Sequence, residues 1–264
     1  MMFTQAQLTR QIKNLGIKSD DVVTVHTSLK SLGELDTSEK TGAEVLIDAL
    51  RDAVHNGLLV VPAHTFKNVR EVPVFDIRNT MPCIGAVPAV AVQMANKAVD
   101  CGDKTIVRSY HFTHSVVAFG NDAYDFVKDD RNCIATMSED SCYGKLYKKR
   151  AKILFIGTTL SSNSFIHYID MCNPNHIQPI PFPITGIDYD GTKCVRSVMR
   201  SVGTLECSAS SDCFVQYEPY LKKAEALIYG KIGDAESFVC DAVKCFDVIT
   251  NLQKDGFCLN PDIK

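Results

Sequence analysis

The sequence contains neither an apolar run long enough to span a bilayer nor a concentrated block of basic residues. Its 264 residues include 28 Lys and Arg against 31 Asp and Glu, for a formal net charge of -3. The basic residues are scattered along the chain, whereas nucleic-acid-binding domains gather them on one face. A membrane helix needs about 20 apolar residues in succession. We therefore expect contact with neither membranes nor nucleic acids.

Paired cysteine motifs are also missing. The chain has 11 cysteines, an odd number, and none of them forms a Cys-x-x-Cys pair. Residues 1–5 have neither the basic nor the apolar region of a secretory leader. Because disulfide frameworks belong mainly to secreted proteins, we expect a cytoplasmic protein in which most thiols pack as small buried apolar groups.

Apolar periodicity predicts an alternation of helices and strands. Helices are predicted at residues 4–14, 41–54, 85–97, 213–228 and 234–252, and strands at residues 22–26, 58–62, 115–119 and 152–156. Asp190 and Gly191 between alternating stretches predict a β-hairpin over residues 184–200. We therefore expect a single domain over residues 1–264 with an α/β fold, in which helices flank a central mixed, mostly parallel sheet that carries a β-hairpin arm.

Polar side chains cluster in three loops, each of which follows a short apolar run typical of a strand. The loops begin at Ser28, Ser109 and Thr158. In open α/β sheets, ligands bind beyond the carboxyl ends of the strands, so we expect these loops to converge on one crevice. The two densest clusters are residues 108–115 (RSYHFTHS) and 163–170 (NSFIHYID). Their imidazoles, hydroxyls and carboxylate indicate an enzyme.

His167 and Asp170 lie three residues apart on a predicted helix and therefore share one of its faces. Imidazole has a pKa near neutrality, which suits it to act as a general base. A carboxylate that is hydrogen-bonded to the second ring nitrogen fixes the tautomer and stabilises the imidazolium. The pair is therefore a candidate base and orienting group.

Three other functions remain open from the residues alone. His111 and His114, with His64 upstream, are candidate zinc ligands for hydrolysis, although their spacing lacks the glutamate of helical zinc motifs. Cys142 is a candidate nucleophile, but no base lies near it in sequence, and we interpret it as a packing residue. The fold could also serve as a binding module without turnover, although the presence of His167 argues against this.

Six short blocks, in order over most of residues 20–190, resemble the aminoglycoside 3-N-acetyltransferase (antibiotic N-acetyltransferase) family. The blocks are residues 25–33 (VHTSLKSLG), 59–66 (LVVPAHTF), 73–76 with 80–85 (PVFD, TMPCIG), 108–120 (RSYHFTHSVVAFG), 141–147 (SCYGKLY) and 163–170. The resemblance implies the fold of that family and transfer of an acetyl group from acetyl-coenzyme A to the 3-amino group of an aminoglycoside. It also implies direct transfer, without a covalent enzyme intermediate and without a metal ion.

The resemblance further implies catalytic roles. His167 would be the general base and Asp170 would orient it, while His111 and Ser115 would lie near the thioester, where a donor polarises its oxygen.

The family likeness implies binding roles as well. Ser28, Leu29, Lys30 and Ser31 would line the path of the pantetheine arm and phosphates, and Arg108 with Ser109 would bind phosphate oxygens. A polycationic acceptor requires carboxylates, for which Asp76 and Asp170 are candidates.

The chain departs from the family pattern on the acceptor side. Ala89 stands where family members frequently have Glu, Phe112 follows His111 in place of Pro, and the sequence has no Trp. These differences leave another amino sugar or small amine as an alternative acceptor. Nothing in the sequence indicates the oligomeric state.

Overall fold

The computed structural model of the chain describes residues 2–133, 137–173, 177–203, 211–260 and 262, with the backbone alone for residues 177–179 and 200–203. Its helices are α1 Gln5–Asn14, α2 Gly42–Ala53, α3 Phe66–Glu71, α4 Ala86–Asp100, α5 Ala123–Val127, α6 Cys142–Lys148, α7 Ser164–Met171, α8 Glu218–Lys223 and α9 Ala242–Lys254. Its strands are β1 Val22–Thr27, β2 Leu58–Pro62, β3 Val74–Asp76, β4 Ile106–Arg108, β5 Val116–Phe119, β6 Lys152–Ile156, β7 Ile177–Ile187, β8 Lys193–Gly203, β9 Leu227–Ile232 and β10 Ala235–Asp241. Short 3-10 turns occupy Leu29–Leu32, Lys128–Asn132, Leu160–Ser162 and Ser211–Tyr217.

Two of the helices begin with reciprocal capping boxes. The Thr4 hydroxyl accepts the amide of Gln7, whose side chain accepts the Thr4 amide in return. Thr41 and Glu44 make the same pair of bonds at the start of α2. Each cap stabilises its helix by about 1 kcal/mol, because it satisfies backbone N–H groups that have no intrahelical partner. The helices predicted to begin near residues 4 and 41 are therefore confirmed, with Thr4 and Thr41 as their N-caps.

The main sheet has seven strands in the order β4-β5-β2-β1-β6-β10-β9. β1 is parallel to β2 and β6, whereas the pairs β2–β5, β4–β5, β6–β10 and β9–β10 are antiparallel. The mixed sheet is confirmed, but its parallel part is limited to the centre and is smaller than expected. The physical reason is the short connections β4–β5 and β9–β10, which can only return the chain antiparallel to itself.

A second sheet contains the predicted hairpin. β7 and β8 pair antiparallel from Ile177 with Gly203 to Ile187 with Lys193, so the hairpin is longer than the expected residues 184–200. β3 adds to it in parallel, from Val74 with Thr185 to Asp76 with Ile187. The β-hairpin arm is therefore confirmed, and it belongs to a three-stranded sheet.

The C-terminal prediction is wrong for residues 227–241. Helices were expected at residues 213–228 and 234–252, but β9 and β10 form a hairpin and α9 starts only at Ala242. Gly233, at φ 58, makes the two-residue turn between the strands. β10 pairs with β6, as in Phe238 with Phe155, so burial in the sheet overrides the helical pattern.

Alternation along the central strands separates two apolar layers. Leu59, Val61, Leu154 and Ile156 face the layer built from α1, α2 and α4, whereas Val60, Ile153 and Phe155 face the layer with α5, α6, α7 and α9. β1, β2 and β6 end at the same edge of the sheet because they are parallel. β4 ends there too, since it is antiparallel to β5, which is antiparallel to β2. The loops after these four strands therefore converge, as predicted.

Among the described residues, no helix has both the length and the apolar character that crossing a bilayer requires.

Candidate active site

A cavity of about 630 Å³ lies where these loops meet. Its wall combines strand ends, loops and the beginning of α7. The residues from these elements are His26 and Thr27 at the end of β1, His64 after β2, Thr113 and His114 after β4, and Asn163, Ser164 and His167 near α7. Phe66 and Arg70 of α3 and Phe182 and Val198 of the hairpin complete one side. Four imidazoles thus face a single concave space.

His167 is presented to the cavity by α7. Asn163 caps this helix, and its Oδ1 accepts the amide of Phe165. The ring of Phe214 contacts the imidazole edge-on, with ring centroids 5.0 Å apart. Burial lowers the pKa of His167 to about 4, so the imidazole is neutral at pH 7 and has a lone pair available. The predicted base position is therefore inside the cavity.

Asp170 lies outside the cavity wall. Its Oδ1 accepts a 2.8 Å hydrogen bond from Nε2 of Gln253 on α9. Burial raises the pKa of Asp170 to about 6, and the Gln253 bond opposes this rise. The carboxylate is thus directed to α9, so this geometry supports neither the orienting role nor the acceptor-binding role predicted for Asp170.

His64 and His114 form a buried pair in the cavity wall. Their ring centroids are 4.6 Å apart. The Tyr143 hydroxyl hydrogen-bonds Nε2 of His64, and Nδ1 of His114 lies 2.9 Å from the Thr113 hydroxyl. Burial lowers the pKa of both histidines well below the ordinary value. Both rings are therefore neutral, and one nitrogen of each is hydrogen-bonded to a side chain of the protein.

His111 shapes the loop beside the cavity. Its Nδ1 accepts the backbone amides of His114 at 3.0 Å and Thr113 at 3.3 Å. This ring is not part of the cavity wall, so the geometry does not support the catalytic role that was predicted for it. One ring nitrogen of His111 and one of His64 are already hydrogen-bonded to other groups of the protein. The described residues contain no group of three or more His, Cys, Asp or Glu placed to hold a metal ion. No observation favours the zinc alternative.

The loop predicted to hold coenzyme A follows β1 directly. The Ser28 amide donates to the Ile156 carbonyl, and the hydroxyls of Ser28 and Ser31 lie 2.9 Å apart. Gly157, at φ 62, has no room for a Cβ because Ser31 lies against it, so the glycine lets the loops after β1 and β6 meet. Leu29 packs against the core, and Lys30 is exposed.

Arg108 and its neighbours hold the scaffold together. The guanidinium is 2% exposed and donates to the carbonyls of Ile77 at 2.7 Å and Thr80 at 2.8 Å. Burial lowers its pKa to about 10. The Ser115 hydroxyl donates to the Ala63 carbonyl, and that of Ser109 accepts the Val116 amide. These contacts give Arg108, Ser109 and Ser115 structural roles, and they do not support the predicted contacts with the cofactor.

Asp76 also stabilises a turn. Its Oδ1 accepts the backbone amides of Arg78 and Asn79, both at 2.9 Å, and its Oδ2 accepts the Asn79 side chain. The carboxylate is outside the cavity wall. The predicted acceptor contact of Asp76 is therefore not supported by its position.

The buried histidines predict acid sensitivity. The folded protein keeps His26 and His167 neutral down to pH about 3 and about 4, whereas the unfolded chain binds these protons near pH 6.5. Stability is therefore complete above pH 6.5 and falls as pH decreases, by up to about 1.4 kcal/mol per pH unit for each histidine. Asp170 has the opposite effect, because its pKa is higher in the folded chain than in the unfolded one. Below pH 6 its protonation stabilises the fold and offsets the effect of about one of the protons that the unfolded histidines bind.

We expect the free energy of unfolding in urea to fall by roughly 2–5 kcal/mol between pH 7 and pH 5. His26→Phe should reduce the slope of the unfolding free energy against pH by about 1.4 kcal/mol per pH unit, the contribution of one proton. A flat profile over this range would contradict the neutral, buried state of the histidines.

Three comparisons with known proteins agree with this architecture. A family model described as aminoglycoside 3-N-acetyltransferase matches residues 24–254. The SPbeta prophage-derived aminoglycoside N(3')-acetyltransferase-like protein YokD of Bacillus subtilis (strain 168) is 27% identical over 177 residues, which are 62% of this chain and 63% of that protein. The solved structure of AAC-IIIb in binary complex with CoASH has a TM-score of 0.79 at 20% identity and covers 98% of both chains. AAC-VIa bound to sisomicin has a TM-score of 0.78 at 19% identity, covering 97% of this chain and 99% of that one.

Proposed function

The chain belongs to the aminoglycoside 3-N-acetyltransferase family, and on this premise we propose that it transfers the acetyl group of acetyl-coenzyme A to an amino group of an aminoglycoside, at the 3-position by family likeness. The observation that carries the proposal is the unprotonated His167 in the wall of a cavity that also includes Thr27, the last residue before the loop after β1. AAC-IIIb, which shares the fold, binds CoASH, and AAC-VIa binds sisomicin.

His167 serves as the general base. Acetyl-coenzyme A supplies an acetyl thioester whose thiolate can leave. The acceptor nitrogen uses its lone pair to form a bond to the thioester carbonyl carbon, and His167 takes the proton that this nitrogen loses. The carbon–sulfur bond breaks and its electron pair leaves with sulfur, which takes up the proton. The products are an acetamide and the coenzyme A thiol, and His167 is again neutral.

The low pKa of His167 restricts when it takes the proton. An imidazole with a pKa of about 4 is a weak base toward an ammonium group in the ground state. The nitrogen becomes much more acidic as it bonds to the acyl carbon and gains positive charge. His167 therefore acts on the transition state, and the acceptor enters as its neutral amine.

The state of the Cys142 thiol is consistent with direct transfer, without a covalent enzyme intermediate. Cys142 is 1% exposed, and burial raises the pKa of its thiol well above the ordinary value. A thiol that does not ionise at neutral pH is a poor nucleophile. Cys142 packs within the layer that contains α6 and α7 and takes no part in the proposed reaction.

The loop after β1 has the groups that coenzyme A needs. Ser28 and Ser31 offer hydroxyls for the amides of the pantetheine arm, Leu29 borders the arm, and the exposed ammonium of Lys30 can pair with a phosphate. Thr27, one residue before this loop, already lines the cavity. We therefore place the donor along this loop, with its acetyl end in the cavity.

A second acceptor class has its own supporting observation. Arg70 lines the cavity and is cationic, and the described residues of the cavity wall include no Asp or Glu. A polycation is bound poorly beside an arginine without carboxylates. This favours, as the second candidate, an amino sugar or small amine that carries fewer ammonium groups than an aminoglycoside.

The test is thiol release from acetyl-coenzyme A in the presence of sisomicin, gentamicin, simple amino sugars or no acceptor. Loss of thioester absorbance and the mass of the product are recorded, because the protein's own thiols react with thiol reagents. Release that depends on an aminoglycoside supports the first acceptor, and release only with singly charged amines supports the second. No release with any acceptor, together with no coenzyme A binding by calorimetry, would overturn the proposal.

A further inference from the structure

His26 is a cavity residue whose ring has no protein hydrogen bond. It lies near the end of β1, is 8% exposed, and stacks on Phe155 of β6 with ring centroids 5.2 Å apart. Among the described residues neither ring nitrogen has a hydrogen-bond partner, and Nε2 is fully buried. Burial lowers the pKa of His26 to about 3, so the ring is neutral. Buried polar groups normally have partners, and the ring that lacks them here lines the cavity.

The burial of the two nitrogens assigns the tautomer. An unpartnered N–H inside a protein is rarer than an unpartnered lone pair. The lone pair therefore belongs on the buried Nε2, and the proton belongs on Nδ1, the nitrogen that is not fully buried in a ring that lines the cavity. His26 accordingly presents a neutral hydrogen-bond donor to whatever occupies the cavity.

The other imidazoles of the cavity wall are not equivalent to it. His64 bonds Tyr143, and His114 bonds Thr113. His167 remains as the base. Among these four histidines, only His26 is both adjacent to the donor-binding loop and uncommitted to a protein partner.

His26 lies two residues before the loop along which the donor is proposed to bind. Thr27 and the loop from Ser28 to Ser31 follow it directly, and both His26 and Thr27 line the cavity that His167 also lines. A donor held along this loop brings its acyl group toward His26, with His167 in the same cavity.

We propose that His26 is a second catalytic histidine, whose Nδ1–H donates a hydrogen bond to the thioester carbonyl oxygen while His167 takes the proton of the attacking amine. This inference rests on the proposed function. Negative charge develops on the carbonyl oxygen as the new carbon–nitrogen bond forms, and the hydrogen bond strengthens with it. When the carbon–sulfur bond breaks, the oxygen becomes a carbonyl again and His26 keeps its proton.

A neutral imidazole suits this task because it stays neutral. A donor needs to keep its proton throughout the reaction, and the low basicity of His26 ensures that its protonation state does not change at working pH. Neutral imidazole polarises a substrate carbonyl in the same way in other enzymes. The two histidines thereby have different roles: one holds its proton and the other receives one.

The test compares His26→Phe, His26→Gln and the matched control Thr24→Val. Phe keeps the stacking on Phe155 and removes both nitrogens, whereas Gln restores a donor. Thr24 lies two residues earlier on the same face of β1, is also buried, with 1% exposure against 8% for His26, and lies outside the cavity wall. We expect His26→Phe to lower kcat by about 10²- to 10³-fold with the KM for acetyl-coenzyme A changed less than about threefold. His26→Gln should recover at least about tenfold of this loss, and Thr24→Val should match the wild type.

A second readout does not depend on turnover. Acetonyl-coenzyme A, a ketone that cannot transfer its acyl group, reports on the carbonyl by its infrared stretching band. We expect this band to lie at lower frequency when bound to the wild type than when bound to His26→Phe, with His26→Gln in between. The pH profile of the residual activity should be unchanged in all variants, because His26 does not titrate at working pH.

The outcomes separate the two proposals. If the wild type turns over and the kcat of His26→Phe lies within about threefold of it, the role of His26 is overturned and the proposed function stands. The same conclusion follows if the carbonyl band does not shift between the wild type and His26→Phe. A wild type that neither turns over nor binds coenzyme A would overturn both. If His26→Phe does not fold, His26→Gln and the carbonyl band of the wild type against free analogue decide the question.

Discussion

Replacing His167 with Ala lowers kcat by about two to four powers of ten and leaves coenzyme A affinity within about threefold. The reason is that, within the part of the chain that the structure describes, no other cavity imidazole is placed to accept the amine proton: His64 and His114 bond protein groups, and His26 is the proposed donor. His167→Gln should be nearly as slow, since an amide fills the space beside Phe214 but does not accept a proton at neutral pH. Steady-state kinetics with the acceptor found active, and calorimetry with coenzyme A, measure the two effects.

His55→Ala is the matched control for this prediction. His55 is exposed and lies just beyond α2, where Nδ1 contacts the Asp52 carbonyl. Its loss should leave kcat unchanged. Turnover of His167→Ala within about threefold of the wild type would remove His167 from the mechanism.

The pH profile gives an independent check on the same residue. The pKa of His167 is lowered to about 4, so its base form is already complete well below neutrality. Between about pH 6 and 9, kcat/KM should therefore rise with the fraction of neutral acceptor amine. The inflection should move when an acceptor of different amine pKa is used. A fixed inflection near pH 6.5 that disappears in His167→Ala would contradict the buried, neutral imidazole.

Local patterns in the sequence located much of this site. The strand at residues 22–26, the capped helix after Thr41 and the polar loop after each central strand depend on neighbours a few residues apart, and all of them are present. The position of His167 in the cavity could be predicted because its sequence block resembles the family and because a helix with an Asn cap presents it. The lowered pKa of His167 could not be predicted, since its burial depends on residues such as Phe214, 47 positions away.

Interactions between distant residues explain the predictions that lack support. Asp170 has the spacing of an orienting partner for His167, but Gln253, 83 residues away, holds its carboxylate. His26 lies in an apolar strand, where a lone histidine usually indicates core packing, and only the assembled cavity reveals its open nitrogen. β9 and β10 were missed because pairing with β6 decides their conformation.

Arg108 gives the largest expected effect on stability. The resemblance to the acetyltransferase family implied that Arg108 binds phosphate oxygens. In the fold its guanidinium joins Ile77 and Thr80, 31 and 28 residues away, and lies 5.1 Å from the centre of the Phe75 ring. Arg108→Met should lower the free energy of unfolding by about 2–5 kcal/mol, because the buried carbonyl of Ile77 and the partly buried carbonyl of Thr80 lose their donors at about 1–3 kcal/mol each. Arg108→Lys should be destabilised too, because an ammonium lacks the planar fork that reaches both carbonyls.

Lys30→Met is the matched control, because it removes a cation from the loop predicted to hold coenzyme A. Lys30 is exposed, so we expect its loss to change the free energy of unfolding by less than about 0.5 kcal/mol. Coenzyme A affinity should fall by roughly 5- to 10-fold, since one phosphate loses its ammonium partner. Urea denaturation and calorimetry on both variants separate the roles, because Arg108→Met should show the opposite combination: lower stability with unchanged affinity of the folded fraction. If Arg108→Met instead kept its stability and lost affinity, the guanidinium would be a phosphate ligand, and the carbonyls of Ile77 and Thr80 would not depend on it.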